Sequence, residues 1–236
     1  MYFYAQSAPA GHVIDIGPAQ GGSTIAYALG LRDSNKPFKV FSIEKGVGSD
    51  ALATKDQGLN EHVLRKKILK YGVAKNTEVI MKPSHEAFAS GEVATPIGIL
   101  SIDADGALDR DFNLFYNNLA AGGVVVLDDV EDMVNRHGQT LLEMTGMELD
   151  EYCKSKNCTD LAQLTPLGKE YITYRFVKYL EEQGLIKIEA ISGRNTVFAK
   201  KPNAAQRFEP EHYQAMQALR QQIKEEFWAL RKRGVE

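Results

Sequence analysis

The residues best suited to chemistry are carboxylates at the ends of short apolar runs. Asp15, Glu44, Asp103 and Asp128 each fall at or next to the end of such a run, with Asp105 shortly after Asp103 and Asp129 directly after Asp128. Carboxylates gathered at one place supply hard oxygen donors, the kind that suits magnesium, calcium or manganese and leaves coordination sites for water and substrate oxygens. Without a cation, clustered carboxylates repel and raise one another's pKa, so a purely structural role is hard to motivate. A single acid at a strand end has a second use, accepting both hydroxyls of a ribose, and Glu44 is placed for it. An ordinary solvated glutamate is the plain alternative for Glu44. The formal net charge of −3 over 236 residues hides this concentration: residues 103–151 carry twelve acids against two bases, a local net of −10, and the remainder sums to +7. About half of these acids are expected on solvated helix faces and loops.

Positioning such residues requires a sheet. His12-Val-Ile-Asp-Ile-Gly17 reads as a strand, Pro18 to Ser23 as a Gly-rich turn, and Thr24–Leu29 as a helix ending near Gly30. Strands follow at Phe38–Glu44, Thr77–Met81, Ile97–Asp103 and Gly122–Asp128. Between them lie helical segments at about Gly58–Tyr71, around Glu86–Ser90 and at Asp111–Leu119. Strands alternating with helices imply βαβ units and a mainly parallel sheet covered on both faces. In such sheets the ligand crevice lies at the carboxyl ends of the strands, so Asp15, Glu44, Asp103 and Asp128 are expected to converge at one rim. Residues 131–183 read as mostly helical, with a break at Thr165-Pro166-Leu-Gly168. Leu185–Ile191 and Thr196–Lys200 read as a hairpin closing a sheet edge, and 209–233 as an amphipathic helix.

The turn Asp15-Ile-Gly-Pro-Ala-Gln-Gly21 lets backbone pass close to a ligand and turns helix N–H groups toward an anionic moiety. Pro18-Ala-Gln fills the middle of what would be Gly-x-Gly-x-x-Gly, so a nicotinamide dinucleotide site loses its main support. A turn serving only close helix–strand packing is the alternative. Continued by Gly22-Ser23-Thr24, the pattern resembles the first motif of class I S-adenosylmethionine-dependent methyltransferases. It is most like the branch holding the catechol, caffeoyl-coenzyme A and macrolide-sugar O-methyltransferases. More specific is Ile102-Asp103-Ala-Asp105 followed by Gly122-Gly-Val-Val-Val-Leu-Asp128-Asp129, which resembles the paired acidic motifs of the cation-dependent members.

The resemblance implies a Rossmann-like, doubly wound α/β fold with a mainly parallel seven-stranded sheet, a C-terminal hairpin and a terminal helix. It implies S-adenosylmethionine contacts at Asp15, Gly17, Gly21, Ser23, Glu44 and Asp105, and adenine contacts at Ser84 and His85, for which a solvated surface loop is the alternative. Asp103, Asp128 and Asp129 become the ligands of a divalent cation, magnesium first and calcium or manganese next. The relatives place a Lys or His three positions after the first metal-binding Asp, where this chain has Gly106. A cation can acidify a bound hydroxyl and lessen the need for a strong base. His137 is the candidate base, against the plainer reading of a surface histidine.

The expected activity is methyl transfer to a hydroxyl of a small molecule such as a sugar, phenol or natural-product intermediate of secondary metabolism. The alternatives are a metal-independent methyltransferase and a non-methylating metal enzyme or binding protein on the same fold. One domain is expected over 1–236, with a core at about 12–200, a helical insert at 131–183 and a C-terminal helix at 209–233. That helix could pack on its own domain or on a second copy of the chain. Substrate contacts are expected from the N-terminus and the insert. The mild charge argues against nucleic acid as a partner. No apolar run is long enough for a membrane span, and the basic and apolar features of a signal peptide are lacking, which makes a cytoplasmic location the expectation. Cys153 and Cys158 suggest neither a disulfide framework nor a zinc site.

Overall fold

The computed structural model describes residues 1–44, 54–103, 107–130, 165–192 and 196–233. Five strands, β1 (His12–Ile16), β2 (Val40–Glu44), β3 (Thr77–Met81), β4 (Ile97–Ile102) and β5 (Leu119–Leu127), run parallel. An antiparallel hairpin of β6 (Lys187–Ser192) and β7 (Thr196–Lys200) completes a seven-stranded sheet in the order β3-β2-β1-β4-β5-β7-β6. The fold and its terminal hairpin are those expected. Among the described residues no helix is long and apolar enough to cross a membrane.

Alternation along each strand feeds two cores. On one face Val13, Val40, Ile99 and Val126 pack with α1 (Tyr2–Ser7), α2 (Gly22–Asp33) and α3 (Thr54–Lys70) through Ala5, Ile25, Leu31, Leu64 and Ile68. On the other, Ile14, Ile43, Leu100 and Val125 meet α4 (Ser84–Ala89), α5 (Leu108–Phe115), α6 (Thr165–Glu182) and α7 (Pro210–Arg233). The terminal helix α7 packs on its own domain, burying Met216 and Ile223 beside Phe112 and Phe176. Both helical layers keep the central strands dry, which is why these strands read as continuous apolar runs.

Some boundaries differ from the sequence reading for identifiable reasons. Helix α2 runs through Gly30 to Asp33, because this glycine is a contact with α1: a Cβ there would lie 2.4 Å from the Tyr2 carbonyl oxygen. The break at Pro166 is the start of α6, since proline suits the first helical turn. Helix α5 begins at Leu108 and gives way to a 3-10 turn at Tyr116–Asn118, so Leu119 opens β5 instead of closing a helix. Helix α1 has no counterpart in the periodicity reading. It packs on α2, with its carbonyls at Ala5 and Ala8 accepting from Lys36 Nζ at 3.1 and 2.7 Å in the α2–β2 connection. That connection lies at the amino end of the sheet, opposite the rim formed by the carboxyl ends of the strands.

Candidate active site

The ladder brings the strand ends into one row. Ile43, Ile16, Ile102 and Leu127 are neighbours in register, so Glu44, Gly17, Asp103 and Asp128 emerge side by side. Backbone bonds extend the row past the strands: Gly17 N–H donates to Ile43 O at 3.0 Å, Asp103 N–H to Ile16 O at 2.9 Å and Asp128 N–H to Ile102 O at 3.1 Å. Chain direction across the sheet reverses between β1 and β4, where an open α/β sheet forms its crevice. A cavity of about 310 Å³ opens there, lined among others by Gly17, Glu44, Ser84, His85, Asp103 and Arg110. Five of these six are residues to which the sequence reading gives a role; Arg110 is not among them.

Asp15 does not reach the rim. Strand periodicity turns it to the α2 face, where it is 2% exposed in a cross-strand row with Ser42 and Ser101. Its Oδ2 accepts from Ser23 Oγ at 2.7 Å and Thr24 Oγ1 at 2.6 Å, and Thr24 Oγ1 lies 2.9 Å from Ser42 Oγ. Burial pushes the Asp15 carboxyl above its ordinary value, opposed by the hydroxyl donors Thr24, Ser23 and Ser101. The acid thus ties the first turn of α2 to the sheet through Ser23 and Thr24. The helix opens on Gly21, whose φ of 81° is left-handed. Leu64 of α3 presses on Gly21 so closely that a Cβ would sit 2.3 Å from its Cδ1. Within the turn, Ala19 N–H donates to Glu44 Oε2 at 3.2 Å, joining the Gly turn to the acid of β2.

The opposite wall is built on α4 and α5. Ser84, 3% exposed, donates its hydroxyl to Asp111 Oδ1 at 2.5 Å. Fully buried Asp111 also holds Arg110 in a fork, Nε to Oδ1 at 2.8 Å and Nη2 to Oδ2 at 3.0 Å. Donating to the Asp111 carboxylate raises the guanidinium pKa further. His85 is about half exposed at the cavity edge, 3.9 Å from Glu86. Asp109, on the same turn as Arg110, is ion-paired with Arg220 of α7, so the terminal helix braces this wall.

The acids assigned to a cation are only partly drawn together. Asp103 and Asp128 end adjacent strands, but Asp128 Oδ1 accepts from Thr196 Oγ1 of β7 at 2.7 Å. Asp129 has a left-handed φ of 55°, a conformation that Asp and Asn adopt more readily than other side chains, which gives the residue type there a backbone reason of its own. Among the described residues, no three His, Cys, Asp or Glu side chains form a group that could hold a metal. Asp105, Gly106 and His137 lie outside the described residues.

Residues 14–130 match the family described as Methyltransferase domain. No curated protein matches the chain. Among solved structures, the cofactor-bound Rv0187 from MTB is 18% identical at a TM-score of 0.55, over 86% of this chain and 78% of that one. The O-methyltransferase from Bacillus cereus, in complex with SAH, is 17% identical at a TM-score of 0.55, over 85% and 79%. The O-methyltransferase TomG from Streptomyces achromogenes, involved in tomaymycin synthesis and in complex with SAM, is 15% identical at 0.54, over 84% and 75%. At these identities the likeness is one of fold. A matching domain over the strands that build the crevice, on this sheet order, makes the chain a member of the class I S-adenosylmethionine-dependent methyltransferases.

Proposed function

We propose that the protein transfers the methyl group of S-adenosylmethionine to a hydroxyl oxygen of a small molecule, giving S-adenosylhomocysteine and a methyl ether. The observation that carries this reading is the cavity at the carboxyl ends of the strands, where Gly17, Glu44, Ser84 and His85 line one space with Asp103. The structures of TomG with SAM and of the Bacillus cereus enzyme with SAH support it by their fold. The donor, when bound, supplies a methyl group on a positively charged sulfur. Glu44 accepts the ribose hydroxyls, and the turn from Gly17 to Gly21 brings backbone close to the nucleoside. Transfer breaks the carbon–sulfur bond, forms the carbon–oxygen bond and releases the hydroxyl proton. His137 is the proposed base. Holding donor and acceptor in line supplies most of the acceleration, because both reactants are fixed before reaction.

Cation dependence rests on Asp103, Asp128 and Asp129 as hard donors for magnesium, calcium or manganese. Thr196 engages Asp128, and among the described residues no three such donors form a group. Calorimetry with S-adenosylhomocysteine, with and without magnesium, tests both parts. Binding is expected, and its absence under both conditions would sink the methyl-donor reading. Methyl transfer that survives exhaustive chelation would refute the cation; loss reversed by added magnesium would establish it.

A further inference from the structure

We infer that Arg110 is a specificity-determining residue that recognises the purine base of the methyl donor through its flat guanidinium face. This rests on the donor reading given above and assigns a role to a residue that the motifs leave unassigned.

The geometry constrains what Arg110 can meet. Its guanidinium is gripped on two atoms by Asp111, so its plane is fixed by a side chain that is itself fully buried and held by Ser84. The Arg110 side chain nevertheless stays 42% exposed, lining the cavity beside Pro83, Ser84 and His85. Its Nη1 has no hydrogen-bond partner among the described residues. A guanidinium held on one edge by a buried carboxylate, with its side chain still partly exposed at the cavity, offers a fixed flat surface there.

The position of Glu44 decides which part of a nucleoside lies there. With the ribose hydroxyls on Glu44, the arm bearing sulfur must run toward the Gly17 turn and Asp103, because the acceptor oxygen has to reach the methyl group at the rim. The base then occupies the remaining wall, formed by Pro83, Ser84, His85 and Arg110. A planar, weakly hydrated cation stacks well on an aromatic ring, whereas the compact, strongly hydrated ammonium of lysine does so less well.

The test compares two ligands that differ only in the base, S-adenosylhomocysteine and S-ribosylhomocysteine, by calorimetric titration and displacement. It uses the wild-type protein, Arg110→Lys, and the pair Arg110→Met with Asp111→Asn, which leaves no buried carboxylate unmatched. Both variants are expected to bind S-adenosylhomocysteine about tenfold more weakly, within the range for losing one stacked base, and S-ribosylhomocysteine with unchanged affinity. Equal losses for both ligands would mean that Arg110 supports the fold or touches the ribose or amino-acid end, and would overturn the assignment. Wild-type affinity in Arg110→Lys would show that charge suffices without the plane, and would overturn it as well. If the wild-type protein binds neither ligand, the donor reading itself fails.

Discussion

Replacing Gly21 by Ala separates packing from ligand contact in the Gly turn. Gly21 has φ 81°, and placing an L side chain in left-handed backbone costs about 1–2 kcal/mol. The new Cβ would also meet Leu64 Cδ1 at 2.3 Å, whereas carbon atoms settle at about 3.5–4.0 Å, so the methyl must move by roughly 1.2 Å or more. The Leu64 Cγ and Cβ, at 3.5 and 3.6 Å, are already at ordinary contact, so the conflict is confined to the end of one side chain. Leu64 is 1% exposed, and overpacking such a site costs about 1–3 kcal/mol. The two contributions give an expected loss of about 2–5 kcal/mol for Gly21→Ala. Leu64→Ala alone should cost about 2–5 kcal/mol through the cavity it leaves. In the double variant the new methyl enters that cavity, so the combined loss should fall short of the sum by about 1–3 kcal/mol, while the backbone cost remains. Urea unfolding of all four proteins measures the cycle. Additivity within about 0.5 kcal/mol would refute the view that Leu64 is what excludes a side chain at Gly21.

Three further outcomes follow from the same geometry. Because Asp15 has a raised pKa in the fold, its contribution to stability is complete below the ordinary carboxylate value of 3.8 and is lost as pH rises through the raised value. The stability of the wild-type protein relative to Asp15→Asn should therefore decline from acid to neutral pH in thermal melts, and a constant difference would contradict it. Arg220→Ala strands Asp109, whose side chain is 8% exposed, without its ion-pair partner and should cost about 3–5 kcal/mol in denaturant, with much of the loss recovered when Asp109→Asn is added. Glu44→Gln should weaken S-adenosylhomocysteine binding by about 1.5–3 kcal/mol, the range for hydrogen bonds to a charged group, and titrations with equal affinities would remove Glu44 from the site.

The parallel strands were legible because their apolar runs are uninterrupted and stop at glycine or acid, and the convergence of Glu44, Gly17, Asp103 and Asp128 follows from register alone. Asp15 was harder: composition places it near a strand end, yet the pleat puts successive side chains on opposite faces, and two residues before Gly17 that means the α2 layer. Gly30 was misread as a helix stop because the sequence cannot show that α1 crosses α2 there. Arg110 carried only a faint signal, an Arg-Asp pair in the first turns of the helix after Asp-x-Asp. Its fork needs Ser84 and buried Asp111, which are brought together only by packing α4 on α5.

Asp15 on β1 and Asp111 on α5 lie on opposite sides of the sheet, each a buried acid holding a hydroxyl, Thr24 on one side and Ser84 on the other. The walls of the crevice are thereby set when the chain folds, and a nucleoside entering it has few rotamers left to freeze. Affinity at such a site is governed less by ordering the protein than by the quality of fit. Small changes in the shape of the ligand should then register as changes in dissociation rate, with association nearly constant.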